Sequence, residues 1–486
     1  MNTSSKKAYQ PVIGLEIHAQ LSTESKIYSP EANSYGDPPN TNISVVTLAH
    51  PGVMPRLNHK VVEYAIRMGL AVGSEISRHQ IFDRKNYFYP DLPKGYQLTQ
   101  DKTPICVGGG IDIEVEGALP RKVQLTKIHI EEDAGKSMHV AGEAYTQVDY
   151  NRSGVPLIEI VTEPDIYSAE EAGAVLTQVR QMVRFLEICD GNMEEGSLRC
   201  DANVSVRPVG SDKLGRKVEI KNMNSIRNVM RAIQVEVARQ IDLLEAGEEV
   251  VSETRNFHAE DGTSSSMRTK EELNDYRYFP DPDLSPLEVS EDWIAQIKSA
   301  MPRLASEWQA QLEGTYQLPA YDAAVLTESP GLAQYFIDTA GFTKQYKAVS
   351  NWMMGPVKSW LNEHNKEIAE WPVSPERLAA LIELVAADKL SFSVASQQLL
   401  PLLLDSPEAD PLQLATQHQL IQESDSGALQ PIIEEVLASH PDKVAEYKSG
   451  RKGLLGLFVG EVMKMSKGKA DPKKTNQLIR EHLEKA

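Results

Sequence analysis

Between Ile128 and Asp165 the chain reads IHIEEDAGKSMHVAGEAYTQVDYNRSGVPLIEIVTEPD. Eight carboxylates (Glu131, Glu132, Asp133, Glu143, Asp149, Glu159, Glu163, Asp165) face only two cations, Lys136 and Arg152. Glu131 and Glu132 close an apolar approach with strand-like alternation, and Glu159 interrupts PLIEIV, which otherwise reads as a buried strand. A carboxylate inside a sheet core is costly unless a cation or a metal offsets it. The neighbourhood has too few cations for that, so the stretch points to a divalent ion. Carboxylates and water around such an ion commonly handle phosphate.

Two further segments repeat the pattern. In VIGLEIHAQL (12–21), Ile13, Leu15, Ile17, Ala19 and Leu21 share one strand face, while Gly14, Glu16, His18 and Gln20 share the other. Glu16 and His18 are therefore ~7 Å apart, within reach of one ion or its waters. In EEGSLRCDANVSVRP, Asp201, Asn203 and Ser205 share a face, and in KVEIKNMNS so do Lys217, Glu219 and Lys221. Between Asp83 and Gln97, Arg84, Lys85 and Lys94 alternate with Tyr87, Phe88, Tyr89 and Tyr96, a combination suited to stacking on bases and neutralising phosphate.

Several chemistries are excluded. Gly135-Lys136-Ser137 resembles the end of a P-loop, but the required first glycine is Ile130, and no G-x-S-x-G, H-E-x-x-H or dinucleotide fingerprint occurs. Cys106, Cys189 and Cys200 are too few and too scattered for a disulfide framework or a zinc site, which suits a reducing cytoplasm. MNTSSKKAYQ is no signal peptide, and no window approaches ~20 uninterrupted apolar residues, so no membrane role is expected. The net charge of −19 argues against a chain coated in nucleic acid while leaving room for a local basic patch.

The 486 residues allow about three domains at ~150 residues each. Strand signals, with helices at 61–72, 167–186 and 226–244, dominate up to the composition change at Ser285–Ser290. Helices follow, including 293–310, 333–340, 349–364 and 375–388. The fold expected is α+β: a mostly antiparallel sheet with flanking helices (1–294), an all-α domain (295–405) and an all-α tail (406–486). From Lys443 onward 11 Lys and Arg face five acids, and Lys464, Lys467, Lys469, Lys473 and Lys474 gather at a helix–loop–helix corner suited to a phosphate backbone.

GLEIHAQL, FDRKNYFYPDLPKGYQLTQ, HIEEDAGKS, DYNRSGVPLIEIVTEPD, EEGSLRCDANVSVRP, KNMNS and DYRYFPDPDL occur in order, and GRKGLLGLFVGEVMKMSKGKADP follows in the tail. Together they resemble the B subunit of the bacterial aspartyl/glutamyl-tRNA amidotransferases over essentially the whole chain. The resemblance implies an N-terminal cradle for the tRNA acceptor end and a YqeY-like tail. It implies ATP- and Mg²⁺-dependent phosphorylation of the side-chain carboxylate of Glu-tRNA(Gln) or Asp-tRNA(Asn). Ammonia would come from the amidase partner, GatA, with a small third protein, GatC, holding the two together in a heterotrimer.

On that reading Glu16, His18, Glu131 and Glu159 are assigned to a first metal, with Glu132 and Asp201 nearby or at a second. Glu131, Glu132 and Lys85 are assigned to catalysis. Arg84, Lys85, Tyr87, Tyr89, Arg152 and Asn203 are assigned to the nucleotide or acceptor end. An imidazole among oxygen ligands also admits Mn²⁺. The family's paired cysteines are missing around NTNISVVTLAHPGVMPRLN, so no zinc is expected; Asn274 and Ser285 also depart from the usual His and Pro. Two rivals remain: an RNA-binding scaffold with purely structural acids, and a self-sufficient glutamine amidotransferase. The second lacks a cysteine after Met1 and any Cys–His pairing.

Overall fold

The structure, a computed structural model, describes residues 8–140, 142–269, 276–421, 426–466, 470 and 472–485. Lys467, Lys469 and Asn274 lie outside the described residues. Two compact units are present, 1–305 and 306–486.

The first unit contains β1 (Tyr9–Gln20), α1 (His59–Ala71), β2 (Arg121–Glu132), β3 (Pro156–Thr162), α2 (Ala169–Phe185), β4 (Leu198–Pro208), β5 (Val218–Lys221), α3 (Ile226–Glu245), β6 (Glu253–His258) and β7 (Thr263–Thr269). These strands form one sheet in the order β7-β6-β5-β4-β1-β3-β2, continued by the short strands Cys106–Val107 and Glu75–Ile76. The pairs are antiparallel except β5 with β6, so the sheet is mixed at one step. β1 thus lies near the middle, between β3 and β4.

The alternation of β1 gives the sheet its two faces. Ile13, Leu15, Ile17 and Ala19 are buried in a core shared with Val61, Val62 and Ile66 of α1, Val175, Leu176 and Val179 of α2, and Val229 and Ile233 of α3. Each such aliphatic chain contributes about 1.5–3 kcal/mol when fully buried, which pins the sheet's register. Ser168 and Ser225 cap α2 and α3, accepting hydrogen bonds from the N–H groups of Glu171 and Asn228. In α1, a Cβ on Gly69 would overlap Cys106 Sγ and Ile76 Cδ1, so glycine lets the sheet edge approach the helix. The other face of β1, with Glu16, His18 and Gln20, is left for the site.

A smaller three-stranded sheet pairs Asp83–Asn86 with Tyr96–Thr99 on one side and Phe279–Pro280 on the other. It brings the aromatic segment around Tyr276 back beside Lys85.

The sequence predicts one helix over 293–310. Instead Glu291–Ser299 and Ala305–Gly314 are separate, with Pro302, which has no N–H to donate, between them. Ile294 and Ile297 of the first of these belong to the first core, so that unit runs on to Ala305. The 349–364 helix survives its own proline: Tyr346–Trp352 and Lys358–His364 are joined by a π-turn at Met353–Val357 containing Pro356. The wider turn accommodates a residue that cannot supply the usual helical hydrogen bond.

The second unit is helical and has two separate hydrophobic clusters. One includes Leu312, Trp352, Leu381 and Ala415; the other includes Leu429, Phe458 and Ile479. None of the helices among the described residues is long and apolar enough to cross a membrane.

Candidate metal and phosphate-transfer site

Cross-strand register assembles the site. Glu159 on β3 lies opposite His18 on β1 and opposite His129 on β2, while His18 lies opposite Arg199 on β4. A polar row His129–Glu159–His18–Arg199 therefore crosses four strands. Glu131 follows two residues after His129 on the same face. The next row pairs Glu16 with Asp201, and the row beyond it, through Gly14, pairs Asn203 with Glu219.

Two donor groups result. In the first, His18 Nε2 is 3.4 Å from Glu131 Oε1 and 3.2 Å from Glu159 Oε2. One ligand atom from each of these three residues falls within 4.8 Å of the others. The second group, Glu16, Asp201 and Glu219, meets the same limit. The sequence places Glu16 with His18, but the structure puts it with Asp201 and with Glu219, a residue visible on its strand face yet unassigned. Asn203 Nδ2 donates to Glu16 Oε1 at 2.9 Å, and Thr254 Oγ1 donates to Glu219 Oε2 at 2.7 Å. Asn203 thus orients a carboxylate. Lys221 pairs with Asp201 and lies 3.0 Å from Glu219 Oε1.

The electrostatics suit a cation. Burial and the charge of Glu159 push the Glu16 carboxyl above its usual range. Burial opposes ionisation of Glu159 too, but hydrogen bonds from His129 and His18 outweigh it and hold the group well below that range. Burial lowers His18, yet its hydrogen bond to Glu159 and the charges of Glu131 and Glu159 leave it raised above 6.5. The same balance raises His129 to about 9.

Glu132 joins neither group. It points to the opposite side of β2 from Glu131, pairs with Lys94 and accepts the Leu98 N–H at 3.0 Å. Adjacent residues of a strand face opposite ways, so only one of the two glutamates could serve the site.

The predicted nucleotide and acceptor-end residues divide. Lys85 Nζ sits over the Tyr276 ring at 5.0 Å and the Tyr87 ring at 5.8 Å. Tyr89, Tyr87, Tyr276 and Tyr278 follow one another at centroid spacings of 5.9, 5.9 and 6.0 Å. Burial and the nearby charges of Glu131, Glu132 and Asp133 push the Tyr87 phenol up. Arg84 is instead committed internally: Asp281 and Asp283 take its guanidinium at 2.5 and 2.9 Å, and it stacks on Tyr96 at 4.3 Å. Arg152 donates to the carbonyls of Ala134 and Gly135 at 2.9 and 2.7 Å, bracing the turn after β2. It also lines, with Gln20, Tyr35, Lys136 and Asp190, a cavity of about 410 Å³.

Sequence reasoning missed His129 and Arg199. Arg199 NH2 is 2.8 Å from Asp133 Oδ2, which also accepts from Gln20 Nε2 at 2.9 Å. The available signal was their strand phase, shared with Glu131 and Asp201 respectively. In the tail, Lys464 lies in the last turn of helix Leu455–Met465, and Lys473 and Lys474 lie in the first turn of Pro472–Lys485.

The family model described as the GatB/GatE catalytic domain matches residues 11–295, and that described as a GatB domain matches 334–483. The chain is 48% identical over 480 residues to the B subunit of the aspartyl/glutamyl-tRNA(Asn/Gln) amidotransferase of Alkalilimnicola ehrlichii, covering 98% of this chain and 99% of the relative. It is 47% identical to that of Halorhodospira halophila, with the same coverage. Identity to that of Salinibacter ruber is 46%, covering 98% of this chain and 97% of the relative. Two family models in order along the chain and whole-length identity lead to one assignment: this chain belongs to the B-subunit family of the aspartyl/glutamyl-tRNA(Asn/Gln) amidotransferases.

Proposed function

We propose that the chain transfers the terminal phosphate of ATP to the side-chain carboxylate of glutamate or aspartate esterified to tRNA. Ammonia then displaces the phosphate, leaving Gln-tRNA(Gln) or Asn-tRNA(Asn). The observation that carries this reading is the convergence of His18, Glu131 and Glu159 beside Glu16, Asp201 and Glu219 on one sheet face.

A free carboxylate is a poor acceptor for ammonia because oxide would have to leave; an acyl phosphate removes that obstacle. Making it brings two anions together, so the work is positioning and charge neutralisation. The donor chemistry fits Mg²⁺, with Mn²⁺ as substitute: His18, Glu131 and Glu159 would hold one ion, and Glu16, Asp201 and Glu219 a second. A bound ion would supply charge neutralisation between phosphate and carboxylate. His18 must be neutral to offer Nε2. Arg199, paired with Asp133, and Lys221, paired with Asp201 and Glu219, would add positive charge beside the two groups. Lys85 and the tyrosines beside it would hold the acceptor end.

Ammonia must come from elsewhere, in our reading the amidase partner GatA, with the small protein GatC completing a cytoplasmic heterotrimer. All three cysteines are buried, and burial pushes their thiols up, Cys189 to about 12, which is unsuited to a glutaminase nucleophile. The division of labour is a cradle, a helical domain and a tail, a count supported by the three separate hydrophobic clusters; Ile297 packs in the first and Ala415 in the second, so the boundaries lie beyond the expected 294 and 405.

The assembled complex should hydrolyse ATP rapidly only with both Mg²⁺ and Glu- or Asp-charged tRNA, and the chain alone should release no glutamate from glutamine. ATP turnover indifferent to the amino acid on the tRNA would remove this reading. The lysine-rich corner (Lys464, Lys467, Lys469, Lys473, Lys474) would contact the tRNA backbone. Changing Lys464, Lys473 and Lys474 to glutamine should weaken tRNA binding without altering sequence preference. The slope of log affinity against log salt should fall by about 0.7–0.9 for each phosphate no longer neutralised, read by filter binding across a salt series.

A further inference from the structure

His129 has no part in the scheme above, yet its ring is directed at the centre of it. It lies opposite Glu159 in the β2–β3 register, two residues before Glu131 on the same strand face. Its Nε2 is 3.3 Å from Glu159 Oε2 and 3.7 Å from Glu131 Oε2. The Glu131 carboxylate is therefore shared, with Oε1 toward His18 and Oε2 toward His129. The side chain of His129 is 7% exposed against 19% for His18, so it stands behind the carboxylates and His18 stands in front. It is not one of the three residues whose ligand atoms converge within 4.8 Å.

The other ring nitrogen is informative as well. Nδ1 of His129 is buried with no hydrogen-bond partner among the described residues. An unsatisfied buried polar atom is costly, so a histidine chosen only to fill the core would be a poor choice here. The ring turns its Nε2, and with it its polar contacts, toward these two carboxylates.

We propose that His129 is a positioning residue: from behind, its Nε2–H faces Oε2 of Glu131 and shares Oε2 of Glu159 with His18, so that Glu131 Oε1 and the Glu159 carboxylate converge with His18 Nε2 on a single divalent cation. This rests on the metal-centre reading above. Glu131 and Glu159 repel each other, and a donor placed between them on the protein side offsets that repulsion and keeps both turned toward His18. Carboxylates that bind metals are generally hydrogen-bonded in turn, and loss of such a partner typically costs 10–100-fold in affinity, about 1.4–2.7 kcal/mol.

The test is a Mn²⁺ titration of the full-length chain assembled with its partner subunits. Loss of the free-ion electron paramagnetic resonance signal reports binding, and thermal melts of the metal-free complexes are run alongside. His129→Leu should raise the Kd for Mn²⁺ about 10–100-fold. His129→Gln, whose amide nitrogen reaches the position of Nε2, should stay close to wild type. His129→Asn is polar but too short to reach the carboxylates and should follow leucine; it keeps the test open if His129→Leu does not fold. A folded leucine or asparagine variant with the wild-type Kd overturns the proposal. So does a glutamine variant as weak as the leucine one, because then donation from that position is not what matters. A wild-type complex with no saturable Mn²⁺ site would be a different result: it would remove the metal centre itself, and the role of His129 with it.

Discussion

Replacing Glu159 by glutamine is expected to lower kcat/KM for ATP-dependent amide formation by on the order of 10²–10³ while leaving the protein folded, the loss typical of removing one preorganised charged or donor group from a reacting centre. Glu159 is the middle member of the row His129–Glu159–His18–Arg199 and the residue that both imidazoles approach, at 3.3 and 3.2 Å. Glutamine preserves the volume, and the neighbours Ile158 and Ile160 keep β3 anchored in the core. It removes the charge and one ligand oxygen, and it turns an acceptor partly into a donor facing two ring nitrogens. An independent signature should accompany the kinetic loss. His129 titrates near 9 because the hydrogen bonds and charges of Glu131 and Glu159 outweigh burial, so without Glu159 its pKa should move down toward 6.5, read by imidazole NMR. A variant with kcat/KM within tenfold of wild type would take Glu159 out of the centre.

The second large effect is a dependence on pH. His18 can serve as a ligand only when neutral, and its pKa lies above 6.5 in the metal-free protein: burial pulls it down, but the hydrogen bond to Glu159 and the charges of Glu131 and Glu159 outweigh burial. Glu159 is held well below the usual carboxylate range, so it stays ionised throughout the neutral region. Below the His18 pKa each bound ion must therefore displace one proton from the imidazole. Affinity should rise with pH, approaching about tenfold per unit on the acid side, and level off once His18 is neutral. Calorimetric Mn²⁺ binding in two buffers of different ionisation enthalpy measures both the affinity and the protons released. Affinity that does not change between pH 6 and 8, with no proton release, would mean that His18 is not a ligand.

The outcome for adjacent glutamates shows where sequence reasoning stops. Glu131 and Glu132 look equivalent in HIEED, and alternation says only that they face opposite ways. The phase of β2 against β3 sends Glu131 to His18 and Glu132 to Lys94 and the Leu98 N–H. Arg84 and Lys85 divide for the same reason: neighbours on one strand, one is held by Asp281 and Asp283 and the other lies over tyrosine rings.

The ordered motifs by themselves determined the family and the α+β class, and strand alternation put Glu16 with His18 on one polar face and marked Glu159 as a carboxylate interrupting an apolar strand. They could do so because the period of a strand is a local property, set by backbone geometry within a few residues. The pairing of residue 18 with residues 129, 159 and 199, the recruitment of Glu219 to the group of Glu16 and Asp201, and the place of His129 behind the carboxylates were decided only by the tertiary structure. Strand order and register depend on how the apolar faces of β1 to β5 pack against α1, α2 and α3, and no single segment of the chain carries that information.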